Sequence, residues 1–105
     1  MKFTTLIPLT RNDGSPVSSK ELTGFLDRFY RRFGGYTVGT PVRGCWSDAD
    51  GQRFDDAGLP VTVECDNSRL EEARKLVLRI GRQLGQKAMW FEVQYFDGVQ
   101  ILRCE

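Results

Sequence analysis

The chain has 105 residues, 40% of them hydrophobic and 11% aromatic, which suffices for one domain with one core. Fifteen lysines and arginines against 14 acidic residues leave a net charge of +1, which removes the Lys/Arg surplus of a nucleic-acid binder and any pull toward an anionic membrane. Three widely spaced cysteines with no histidine argue against a disulfide scaffold and a zinc site, and no stretch approaches the roughly 18 apolar residues of a membrane helix.

The N-terminus alternates instead of forming the apolar run of a secretory signal, so the cytoplasm is the expected location. Residues 2–9 read as a strand, with Phe3, Thr5, Ile7 and Leu9 on one side and Lys2, Thr4, Leu6 and Pro8 on the other. A polar loop over 10–17 carries an Asp13-Gly14 turn signal. Ser18 and Glu21 then form a capping box for a first helix whose apolar stripe is Leu22, Phe25, Leu26, Phe29 and Phe33. Arg28, Arg31 and Arg32 gather toward its end, and Gly34-Gly35 stops it.

From Tyr36 to Trp46 the chain is β-like, with Gly39 and Pro41 predicting an edge strand or a bulge. Residues 47–58 read as a polar, acidic connection whose hairpin tip is Asp50-Gly51. A cleaner strand covers Leu59 to Cys65. The second helix carries a candidate box at Ser68 and Glu71 and an apolar face of Leu70, Ala73, Val77, Ile80 and Leu84, ending at Gly85. Residues 87–96 alternate again: Met89, Phe91, Val93 and Tyr95 oppose Trp90, Glu92, Gln94 and Phe96. Asp97-Gly98 predicts a tight hairpin with a return strand over Val99 to Cys104.

The order is β-α-β-β-α-β plus one strand. It predicts a single ferredoxin-like α+β domain over 1–105, an antiparallel sheet with two helices on one face and an extra C-terminal hairpin strand. The hairpin register would set Phe96 opposite Val99, Gln94 opposite Ile101 and Glu92 opposite Arg103. The sheet face left open by the helices would then present Trp90, Phe96, Val99, Ile101 and Leu6 beside Glu92, Gln94 and Arg103. Such an apolar patch marks an interface or a binding groove.

Several motifs have plainer readings. Asp48-Ala49-Asp50-Gly51 fails the EF-hand template, because Trp46 and Ala57 fall at required ligand positions, so it reads as turn chemistry and no metal is expected. Cys45 lies near Arg43 but has no histidine base, and Cys65 reads as core, so no catalytic residue is assigned. The helix arginines read as solvated outer faces. Trp90 and Phe96 on an open sheet suggest base stacking, but the basic Gly-aromatic signature of RNA-recognition domains is missing from Leu59 to Cys65.

Asp13-Gly14-x-x-Val17-Ser18, Phe33-Gly34-Gly35-Tyr36-Thr37-Val38, Gly44-x-Trp46-x-Asp48-x-x-Gly51 and Gly85-Gln86 follow one another through most of the chain. In this pattern the chain resembles a family of small bacterial proteins without assigned chemistry, some of them exported lipoproteins. It departs where Gly34-Gly35 replaces a Pro-Asp-Gly turn and in lacking the export signal. The resemblance implies the ferredoxin-like fold and no particular reaction.

The functional expectation is a binding or interaction domain, a cytoplasmic homodimer formed through the open sheet face, with a small molecule or a protein as further partner and neither cofactor, nucleic acid nor membrane. Its ligand or interface residues are Arg43, Trp46, Trp90, Glu92, Gln94, Phe96, Ile101 and Arg103. The alternative is a small cofactor-free enzyme whose cavity between sheet faces uses Glu92, Arg103, Arg43 and Tyr36, with the 10–17 loop as a lid.

Overall fold

The computed structural model describes residues 1–104 and their side chains, that of Asp56 excepted. Strand β1 (Lys2–Pro8) leads to helix α1 (Ser19–Phe33), then to β2 (Thr37–Val38), β3 (Val42–Ser47) and the long β4 (Arg53–Glu64). A 3-10 turn (Asn67–Arg69) precedes helix α2 (Leu70–Gln83), and β5 (Phe91–Gln94) closes the series. The sheet is antiparallel in the order β2-β4-β1-β5, with β3 also on β4. This is the ferredoxin-like arrangement that the element order predicts.

Alternation decides which face the helices cover. Phe3, Thr5 and Ile7 of β1 and Val61 and Val63 of β4 are buried against Phe25 and Phe29 of α1 and Ala73, Leu76, Val77 and Ile80 of α2. Phe91 and Val93 of β5 pack on the same cluster, so the inward positions of the last strand are the odd ones. The capping box of α1 forms as predicted, with Ser18 accepting from the Glu21 N–H and Glu21 accepting from the Ser18 N–H. Gly34 ends the helix in the left-handed region at φ 83°.

Two local predictions differ at α2. Asp66, not Ser68, accepts from the backbone at the helix start, because the 3-10 turn over Asn67–Arg69 shifts the first α-helical residue to Leu70. No Ser68–Glu71 box forms. Leu76 joins the buried face as well.

The larger differences lie in the strands. β2 and β3 are two halves of one edge strand: Thr37 and Val38 pair with Thr62 and Val61, and after the Gly39–Pro41 break Val42 to Ser47 pair with Gly58 to Arg53. Residues 53–58 are therefore strand, not connection. They carry no apolar alternation because they extend beyond the core, and the pairing rests on the ladder and its turn. That turn is tied by Asp48, whose Oδ1 accepts from the Asp50 and Gln52 N–H groups at 2.9 Å each.

At the C-terminus, residues 95–104 carry no strand, so the extra hairpin strand is absent. A two-residue hairpin turn of either primed type needs positive φ at its first residue, and among the described residues only glycines have positive φ, so Asp97 does not adopt it while Gly98 stands at 124°. The pairs Phe96–Val99, Gln94–Ile101 and Glu92–Arg103 consequently do not form a ladder.

Candidate functional site

Strand β4 has 12 residues and is about 40 Å long, whereas the 14-residue α2 is about 21 Å long. The sheet therefore overhangs the helical layer. On the arm's helix-side face, the alternation that buries Val61 and Val63 leaves Asp55 and Ala57 uncovered, beside their partners Cys45 and Arg43. The 10–16 loop forms the opposite wall, and a cleft of about 550 Å³ lies between them.

Hydrogen bonds hold that wall in place. Asn12 Nδ2 donates to the Gly85 carbonyl at 3.0 Å, and Gln86 Nε2 donates to Asn12 Oδ1 at 3.4 Å, which ties the loop to the end of α2. Arg11 donates to the Pro16 carbonyl at 3.2 Å and pairs with Glu21 of the capping box. Asp13 Oδ1 accepts from both Ser15 N–H and Ser15 Oγ, closing the loop's turn. Asn12 thus links the loop to Gly85 and Gln86 and Arg11 links it to Glu21, while the Arg11–Pro16 and Asp13–Ser15 bonds shape the loop from within.

The cleft is electrostatically mixed. Arg53 bonds the Asp55 carboxylate at 3.1 Å, and this contact, with the Cys45 thiol next, holds Asp55 below the usual carboxylate range. The same carboxylate pushes the Cys45 thiol up, so that at neutral pH it is a thiol and a poor nucleophile. Arg43 lines the cleft and enters no ion pair among the described residues. With Asp55 already held by Arg53, the Arg43 guanidinium is the group on this wall that suits an anionic group of a ligand.

The open face of the sheet is a different surface. Thr4 and Thr62 share a hydrogen bond at 2.8 Å, Lys2 stands between Glu64 and Gln94, and Glu92 lies opposite Thr4. The Trp90 carbonyl accepts from buried Thr5 Oγ1 at 2.8 Å, and the residue as a whole is 46% exposed, near Leu6, Pro8 and Gly58. Trp90 is thus on the outer side, as alternation predicts. Further along, Trp46 stacks on Phe54 with centroids 4.5 Å apart and planes at 17°.

The expected site residues fall into three places. Trp46, Trp90, Glu92 and Gln94 belong to the open side of the sheet, Arg43 to the cleft on the opposite side, and Phe96, Ile101 and Arg103 to the C-terminal segment. From Arg43, level with Ala57, to Glu92, level with Thr62, is about 20 Å by strand spacing and rise. One subunit therefore does not bring Arg43 and Glu92 to one cavity. Tyr36 is exposed ahead of β2. Gln86 and Asp55 are not among the expected site residues, whereas Arg11 and Asn12 belong to the 10–17 loop that the enzyme reading sets over the same cavity as Arg43. The available signal for Asp55 is weak, since a polar 47–58 stretch read as a connection gives no strand face to share with Arg43 and Cys45.

Among the described residues, no group of three or more His, Cys, Asp or Glu side chains could hold a metal ion, and no helix is long and apolar enough to cross a membrane. No family model and no curated protein matches the chain. Its fold is similar to that of a phage SAM lyase solved in complex with S-methyl-5′-thioadenosine and in the apo state. Each has a TM-score of 0.64 and 12% sequence identity, over 89% of this chain and 78% of that one. At that identity the likeness is one of fold.

Proposed function

We propose that this chain is a small cytoplasmic binding domain that self-associates through its open sheet face and C-terminal segment and holds a small polar ligand in the overhang cleft. The observation that carries it is the group of exposed large apolar side chains that ends the chain: Trp90, Tyr95, Phe96, Val99, Ile101 and Leu102, with Ile101 87% and Leu102 78% exposed. Water-exposed apolar residues at that density mark an association surface. Light scattering after size exclusion tests this: the wild type should run as a dimer and Trp90→Ala/Ile101→Ser as a monomer. A strictly monomeric wild type would refute it.

A second reading, a small enzyme, is favoured by the likeness to the phage SAM lyase and by a cleft whose volume is ordinary for a small-molecule site. Arg43 and Asp55 would position the substrate. Glu92, about 20 Å from Arg43 by strand spacing and rise, would join only if a second copy presented it across a shared cavity. Calorimetric titration with S-methyl-5′-thioadenosine, with Arg43→Gln as control, and assay for its release from S-adenosylmethionine test this reading. No binding and no release would end it.

A further inference from the structure

We infer that the groove between α1 and α2, on the side of the molecule away from the sheet, is a binding site for a compact oligophosphate anion. The groove measures about 600 Å³, and five guanidiniums line it: Arg28, Arg31 and Arg32 from α1, Arg79 and Arg82 from α2. Spacings of three and four residues bring each set onto one stripe of its helix, and Leu76 contributes apolar lining.

Nearby acids neutralise this charge only in part. Arg31 pairs with Asp27 at 2.7 Å, and Arg32 lies 3.6 Å from Glu72, which also pairs with Arg69. Arg28 sits over the Phe25 ring, and Arg28, Arg79 and Arg82 enter no ion pair among the described residues. The plain alternative is that cations gather at helix C-termini because the dipole favours them. That accounts for Arg31, Arg32 and Arg82, but Arg28 and Arg79 lie before the last turn of their helices.

The near-neutral total conceals a separation. The two helices hold eight basic and four acidic residues, and the rest of the chain seven basic and ten acidic. A field of one sign over a partly apolar groove concentrates anions there. Arginine, in place of lysine, presents paired N–H donors that match phosphate oxygens. The acidic remainder disfavours a long polyanion running past the groove, and no aromatic side chain lines it to stack a base. The ligand is therefore compact: a short chain of phosphates.

Isothermal titration with tripolyphosphate, orthophosphate and a single-stranded oligonucleotide, at low and physiological salt, tests this. Tripolyphosphate should saturate one site per chain and bind about tenfold tighter than orthophosphate, since several guanidiniums engage it together. Arg79→Gln/Arg82→Gln, with an unchanged circular dichroism spectrum, should weaken it about tenfold, while Lys75→Gln stays within about twofold. Absence of saturable tripolyphosphate binding overturns the inference, as does binding that survives in the double variant. Tighter binding of the oligonucleotide at equal phosphate concentration also overturns it and reassigns the groove to nucleic acid.

Discussion

Gly58 is the branch point of the sheet. It is buried, and it pairs with Pro8 on one edge and Val42 on the other, where the arm leaves the helical layer. A Cβ there would stand 2.9 Å from Leu6 Cβ, 3.4 Å from the Ile7 carbonyl oxygen and 3.5 Å from the Leu6 carbonyl carbon. These atoms belong to the β1 backbone or its first side-chain carbon, so no rotamer change relieves the contact. Gly58→Ala must push β1 and β4 apart, at the cost of about 1–3 kcal/mol typical of overpacking. For a domain of this size that lowers Tm by roughly 5–20 °C. Two controls calibrate the measurement. Gly24→Ala on α1 meets nothing within 4 Å and should stabilise by about 0.5–1 kcal/mol through helix propensity. Gly81→Ala would meet Met89 Cγ at 2.6 Å, but that side chain can swing, so its loss should be smaller than that of Gly58→Ala. The assay is thermal and urea denaturation followed by circular dichroism. A Gly58→Ala midpoint within experimental error of wild type would refute the branch-point reasoning.

Two further predictions concern ionisation. Glu21 is held below the ordinary carboxylate range first by its bond to Arg11 and then by the Ser18 backbone. A carboxylate lowered in the folded state adds stability above its ordinary range and loses it as pH falls through the folded value. Urea midpoints should therefore drop on acidification, and Arg11→Gln should flatten that drop; an identical slope in the variant would count against the pairing. Because the Asp55 carboxylate raises the Cys45 thiol, Asp55→Asn should speed alkylation of Cys45 by iodoacetamide at mildly alkaline pH, read by peptide mass spectrometry. An unchanged rate would show that Asp55 does not control the thiol.

Much of the fold was legible because its signals are local or periodic. The Ser18–Glu21 box and the stripe containing Phe25 and Phe29 are written within one helix, and period-two patterning at Phe3, Thr5, Ile7, Val61 and Val63 tells which side is inside. The same pattern places Trp90 outward. Where burial stops, the pattern stops with it. Residues 53–58 read as a connection because an arm beyond the core needs no apolar alternation. Val99 to Cys104 read as a strand because a dipeptide identity stood in for a backbone conformation that Asp97 does not adopt.

The cap of the first helix, the inward face of each core strand and the β-α-β-β-α-β order follow from neighbours within a few residues, and the chain alone determines them. The overhang cleft and the arginine groove do not follow in that way. Arg43 comes to line one cleft with the 10–16 loop, and Arg28 one groove with Arg79, only when segments dozens of residues apart are packed together. Composition averages over the whole chain, so a net charge of +1 reports balance where the folded molecule keeps its basic helices apart from an acidic remainder.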